Sequence, residues 1–229
     1  MKKILVIDIG GTSVKLMMSR SEKRKFASGS KLEPTQFVAQ VKEITADWEY
    51  DAVSLGFPAP VVDGSILHDP KHLAKGWVGF DFEKALGKPM RLINDAAMQA
   101  LGSYHGGRML FLGLGTGLGS CLIWERNVLP LELGDLPYPG TNRIEETVGK
   151  DGLTRLGKKA WKREVLQVLR QLKGALIAEY VVVGGGNAKQ FKSLPDGFEL
   201  GHNRNAYLGG TRIWEIDART KRPKWKIIS

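Results

Sequence analysis

Four groups of residues in this 229-residue chain have types and spacings that suit chemistry on an anion. The first is Asp8-Ile9-Gly10-Gly11-Thr12-Ser13-Val14-Lys15, which follows the apolar run from Ile4 to Ile7. Gly10 and Gly11 permit positive φ and carry no Cβ, so backbone N–H groups there can approach a phosphate closely. Thr12 adds a hydroxyl and Lys15 a charge. An acid beside phosphate donors makes sense when a divalent cation lies between them, which makes Asp8 a candidate Mg²⁺ residue acting through water. An ordinary two-glycine hairpin turn is the plain alternative.

The second group is Gly113-Leu114-Gly115-Thr116-Gly117-Leu118-Gly119, and the third is Gly184-Gly185-Gly186-Asn187. Each follows an apolar run. The pattern after Gly119 is apolar and β-branched, which reads as a second strand rather than the helix a dinucleotide fingerprint requires. No G-x-x-x-x-G-K-[ST] is present, so the phosphate-facing turns are hairpins. The fourth group is Asn94-Asp95-Ala96-Ala97, where a strand gives way to a helix. Asp95 there is either an N-cap acid or a base that takes a proton from a hydroxyl while a phosphoryl group arrives in line. Glu132 stands in a loop after the second hairpin, and His68 and His72 flank Asp69 and Pro70 without the spacing of a metal site.

The elements that must hold these residues follow from periodicity. Residues 4–7 lack polar alternation and read as a strand buried on both faces. Segments 13–18 and 26–28 continue as strands. A helix opens at Pro34-Thr35 with Phe37, Val41, Ile44 and Trp48 on one face. Strands are expected at 51–55 and 89–93, a hairpin at 61–66 with Asp63-Gly64 at its turn, and helices at 82–86 and 96–101. Trp77 reads more readily as a core plug than as the wall of a sugar site. From Gly106-Gly107 the pattern restarts: strand, glycine-threonine turn, strand, turn, strand. That repetition predicts two α/β lobes, residues 1–105 and 106–216, each carrying its own phosphate-facing hairpin. Helices are expected at 144–148, 153–156 and 159–176, a buried strand at 180–183, another helix after 187, and a final helix from 205, expected to pack back on the first lobe. Residues 217–229 read as an appended basic tail.

Composition narrows the classes. Hydrophobic residues make 42% and charged residues 25% of the chain, the usage of an ordinary globular protein. Cys121 is the single cysteine, so no internal disulfide forms, which fits a reducing cytoplasm. No signal-peptide pattern and no bilayer-length apolar run occurs. A cytoplasmic location with no membrane partner is the expectation. The net charge of +10 suggests an anionic partner. Lys158, Lys159, Lys162 and Arg163 cluster, and so do the cations of the tail. Charge alone, with no recognition motif, does not make a nucleic-acid binder.

Taken in order, Asp8-Ile-Gly-Gly-Thr12, Gly56-Phe-Pro-Ala-Pro-Val61, Asn94-Asp-Ala96, Leu112-Gly-Leu-Gly-Thr-Gly-Leu-Gly119, Glu132-Leu-Gly134 and Val183-Gly-Gly-Gly-Asn187 resemble the ROK family of sugar kinases, within the actin/hexokinase-like superfamily. The nearest likeness is to short members that include polyphosphate glucokinases. The resemblance implies an actin/hexokinase-like (ribonuclease H-like) fold with a mixed sheet in each lobe and a cleft between them. It implies transfer of a phosphoryl group from ATP or polyphosphate to the 6-hydroxyl of a hexose, glucose first, with Mg²⁺ and without zinc. Asp8, Gly10, Gly11, Thr12 and Lys15 would form one phosphate motif, and Gly115, Thr116 and Gly117 the other. Gly185, Gly186 and Asn187 would form the nucleotide-side loop. Asp95 would be the base, and Asn94, Asp95 and Glu132 would bind sugar. The family usually places His where this chain has Asp135, and often Asn near the position of His72; both departures touch sugar recognition. A homodimer is common among relatives. The regulators of this family carry a DNA-binding module ahead of the first motif, and the seven residues before Asp8 leave no room for one. A catalytically degenerate sugar-sensing member is the alternative function.

Overall fold

The computed structural model describes residues 2–202 and 204–228. Met1, Asn203 and Ser229 lie outside the described residues, and with them the two ends of the expected first lobe and tail. The first sheet is built from β1 (Ile4–Ile9), β2 (Ser13–Met17), β3 (Lys23–Ala27), β4 (Ala52–Phe57) and β7 (Met90–Asn94), in the order β3-β2-β1-β4-β7. The short hairpin β5 (Val61–Val62) and β6 (Ser65–Ile66) stands beside it, turning through Asp63 and Gly64, both at positive φ. β1 pairs antiparallel with β2 and parallel with β4. Every residue of β1 and of β4 is buried, as strands covered on both faces must be. β3, at the edge, keeps Lys23 and Lys25 in solvent.

Helix α1 (Pro34–Ile44) begins with its proline in the first turn and buries Phe37, Val38 and Val41 against this sheet. Phe37, Phe57 and the short helix α2 (Phe82–Leu86), through Phe82, enclose Trp77 completely. Trp77 is therefore core, the bland reading of the sequence.

The second sheet contains β8 (Met109–Leu114), β9 (Leu118–Trp124), β10 (Asn127–Leu131), β11 (Tyr180–Gly184), β12 (Phe198–Leu200) and β13 (Lys226–Ile227), ordered β12-β11-β8-β9-β10-β13. Helices α4 (Ile144–Val148) and α5 (Lys150–Ala175) follow β10. Trp161, Val165, Val168, Leu169 and Leu172 of α5 bury against Leu110, Leu112, Val181 and Val183. The backbone of α5 breaks at Gly157 (φ 71, ψ 158), which is why the sequence reads as two helices there.

Between the two sheets lie α3 (Asp95–Ser103) and α6 (Asn205–Arg212). Val6 and Ile93 from one sheet and Met109, Phe111 and Cys121 from the other share a core with α3 and Ala206. α6 packs on the first sheet: Ser54 Oγ donates to Gly210 O at 2.6 Å and Tyr207 Oη to Met18 O at 2.9 Å. The helices cross where each lacks a side chain. A Cβ on Gly102 would overlap the Asn205 carbonyl, and one on Gly209 the Met98 carbonyl.

Three features depart from the sequence reading. The segment after Asn187 forms only a single 3₁₀ turn, Ala188–Gln190, before the unanticipated β12. Residues 217–228 fold back on the second sheet, with β13 beside β10. Trp225 stands edge-on to Tyr104 and donates Nε1–H to Glu215, while Arg126 pairs with Asp217 at 2.7 Å. Among the described residues no helix is long and apolar enough to cross a membrane.

Candidate active site

The turn between β1 and β2 closes by a Gly10 N–H to Ser13 O hydrogen bond of 3.0 Å, and Ser28 Oγ donates to Gly10 O at 2.6 Å. Register sets Asp8 opposite Lys15, and Lys15 Nζ lies 2.9 Å from Asp8 Oδ2. Asp8 is buried, so its charge acts through little solvent and raises the Lys15 pKa. Thr12 is exposed at the tip.

The turn between β8 and β9 is held from behind. Gly115 N–H donates to Gly117 O at 3.1 Å, Asn187 Nδ2 donates to Gly115 O at 2.9 Å, and Lys150 N–H donates to Thr116 O at 3.1 Å. Gly185, at φ 82, packs where a Cβ would overlap Leu114. The third glycine loop and the start of α5 thus brace the second hairpin. The two hairpin tips meet: a Cβ on Gly11 would stand 3.3 Å from Thr116 Oγ1 and 4.0 Å from His72 Cβ.

Asp95 opens α3 within electrostatic reach of Asp8, Lys15 and Glu132. The N-cap is Asn94, whose Oδ1 accepts from Ala97 N–H at 3.1 Å, so Asp95 is the first helical residue rather than the cap. Asn94 also directs Nδ2 to Ala59 O at 3.4 Å. Asp95 Oδ1 accepts from Ala96 N–H at 2.7 Å. Burial and then the Asp8 charge push the Asp95 carboxyl up to about 7, with Glu132 adding; the Ala96 N–H and Lys15 pull the other way. A carboxyl poised there is matched to proton transfer near neutral pH. A glycine admits this helix start: a Cβ on Gly119 would stand 2.9 Å from Ala96 Cβ, while one on Gly56 would meet the Met98 side chain further along α3.

Glu132 follows β10 and heads the 3₁₀ turn Leu133–Asp135. Ser120 Oγ fixes this segment, donating to Leu131 O at 2.6 Å and accepting from Leu133 N–H at 3.1 Å. Burial first, then Asp135 and Glu145, raise the Glu132 pKa, while Lys71 and His68 lower it. Asp135 is held below the usual carboxylate range by Lys71 and Arg143. Lys71, Arg143 and Glu145 were not singled out by the sequence; they carry no local motif, and only the fold brings them to Glu132.

Asp69 accepts from Trp77 N–H at 2.8 Å, a structural role. Among the described residues no group of three or more His, Cys, Asp and Glu is arranged to hold a metal ion. Mg²⁺ keeps several waters and is typically held by one or two carboxylates plus substrate phosphates. Asp8, a single carboxylate at the foot of the first glycine turn, fits that mode.

No protein-family model matches the chain. Among curated proteins it is 21% identical over 207 residues to the polyphosphate glucokinase of Mycobacterium leprae (strain TN), covering 80% of this chain and 63% of that protein. The chain spans less than two thirds of the length of the curated relatives it matches. Among solved structures it is similar to the inorganic polyphosphate/ATP-glucomannokinase from Arthrobacter sp. strain KM: TM-score 0.76, 23% identity, 90% of this chain and 96% of that one. A ROK family glucokinase from Streptomyces griseus in complex with glucose and AMPPNP aligns with TM-score 0.68 at 15% identity, over 90% and 97% of the two chains. These likenesses establish the two-lobed, actin-like α/β fold.

Proposed function

We propose that this chain, similar in fold to a solved ROK family glucokinase and in sequence to a polyphosphate glucokinase, transfers a phosphoryl group from ATP or polyphosphate to the 6-hydroxyl of a hexose, glucose first. The observation that carries the reading is Asp95: its carboxyl, pushed up to about 7, opens α3 within electrostatic reach of Asp8 and Lys15 at the first glycine hairpin and of Glu132 after the second. In the proposed reaction Asp95 takes the hydroxyl proton as the sugar oxygen forms its bond to phosphorus and the donor oxygen leaves in line. Asn94 and Glu132 hold sugar hydroxyls on the acceptor side. Backbone N–H groups of Gly11 and Gly117, in turns that the Gly10 and Gly115 N–H groups close, the hydroxyls of Thr12 and Thr116, and Lys15 hold the donor phosphates. Gly185, Gly186 and Asn187 lie on the donor side, behind the second hairpin. Mg²⁺, held through water by Asp8, would screen charge on the transferred group.

The donor class is open to direct test. Names of the relatives include both ATP and polyphosphate users. Lys162 Nζ lies 5.1 Å from the Phe191 ring, which sets the basic side of α5 beside the segment after Asn187. Polyphosphate use should then weaken steeply with salt.

A coupled assay over a sugar panel, with Mg-ATP and polyphosphate side by side, tests the reading. Turnover is expected with a hexose. Sugar binding with no turnover under either donor would replace it with the sugar-sensing alternative.

A further inference from the structure

We propose that Lys71 is a positioning residue that fastens the two lobes together at the acceptor end of the cleft, beside Glu132. The inference rests on the sugar-transfer reading for its kinetic consequence, but its geometry stands apart. Lys71 belongs to the connection between β6 and α2, on the first lobe. Its Nζ lies 3.2 Å from Asp135 Oδ1 and 3.0 Å from Glu145 Oε1, both on the second lobe. Both ion pairs join the two lobes. Arg143 braces the receiving side, with NH1 2.9 Å from Asp135 Oδ1 and 3.2 Å from Glu145 Oε1. The second lobe therefore presents two carboxylates already gathered by one cation, and the first lobe inserts the other.

The same connection acts on the second lobe at a further point. Lys71 and His68 both act electrostatically on Glu132. Asp135 is engaged by both cations rather than left as an open acceptor, which gives the acid a structural use in this chain.

Magnitude fits the role. Lys71 and Asp135 are each about half exposed, at 53% and 45% of their side chains. Exposed pairs are individually weak and screened by salt. A fastening of that strength orders a loop yet opens within a catalytic cycle. Closed, it keeps Glu132 in a fixed relation to Asp95 and limits water at the transferred group.

The test uses the full chain with Lys71→Met, which keeps the aliphatic stem, and Lys71→Arg, which keeps the charge. Amide hydrogen exchange is read over residues 67–76 and 133–146 at low and high salt. The methionine variant should exchange about three- to tenfold faster in both segments at low salt. The wild type should approach it at high salt, and arginine should restore protection. Exchange indifferent to the substitution overturns the proposal, whatever the kinetics. On active enzyme, Lys71→Met should raise KM for the sugar about three- to tenfold with kcat within about twofold. Faster exchange with an unchanged KM would also overturn the positioning role. An absence of turnover with any sugar would sink the transfer reading while exchange still decides the fastening.

Discussion

The two sheets are copies in topology and opposites in chemistry. β3-β2-β1-β4-β7 and β10-β9-β8-β11-β12 follow the same order with the same parallel and antiparallel pairings. At the second cross-strand pair from the turn, the first hairpin sets Asp8 against Lys15 and the second sets Gly113 against Gly119. One lobe contributes charge and the other contributes space. Gly119 of that pair is what lets α3 seat its first turn against β9, since a Cβ there would come within 2.9 Å of Ala96 Cβ. Asp95 thus belongs to the first lobe by chain order and is placed by the second. The fifth strands diverge in the same way: β7 runs directly into Asn94-Asp95, while β12 is three residues long and leads to α6, which carries no acid in its first turn.

The largest break in that asymmetry is Asp95→Asn. If the carboxylate takes the proton, kcat should fall about 10²- to 10⁴-fold with sugar binding retained. Asn205→Ala, at the corresponding start of α6, should change kcat by no more than about threefold. It removes a hydrogen bond to Ser103 Oγ and no reacting group. Steady-state kinetics with calorimetric sugar binding compares the pair. Equal losses in the two would deny the lobes their separate roles.

Gly119→Val comes next. It fills the space the second lobe reserves for α3, and displacing Asp95 by about 1 Å should lower kcat on the order of 10²-fold. A folded variant with normal turnover would show that Ala96 does not fix the carboxyl. Gly209→Ala, at the α3–α6 crossing, places its Cβ on the Met98 carbonyl. It should cost about 1–3 kcal/mol of stability in denaturant unfolding.

Local patterns carried much of this arrangement in the sequence. The unbroken apolar run of β1, the glycine hairpins and the one-sided helix α1 are decided by neighbours a few residues away, and they were legible. β12 and β13 were not: three and two residues long and largely exposed, they are strands only because a longer strand lies beside them. The sequence left Asp95 as either an N-cap acid or a base, and only the geometry gives the cap to Asn94. Lys71 meets Asp135 and Glu145 across 64 and 74 residues of chain, a distance at which composition and period say nothing.

The finest comparison is between one carboxyl in two states. Burial, then Asp8, raises Asp95 to about 7. As a base it must be unprotonated, so kcat/KM should climb along a limb near pH 7 and level off above it. Asp8→Asn removes the charge that opposes ionisation, and whatever amplitude remains should have its limb at lower pH. Stability moves in the opposite sense to activity. The folded state binds this proton more tightly than the unfolded chain does. The contribution is therefore complete below the ordinary Asp range and is lost as pH rises through about 7. Asp95→Asn has no proton to lose. Its melting temperature should match the wild type most closely below about pH 4 and exceed it increasingly toward about pH 7, levelling above that. Melts that run parallel across that range would mean the Asp95 carboxyl carries no penalty on ionising, and the base would have to be sought elsewhere in the cleft.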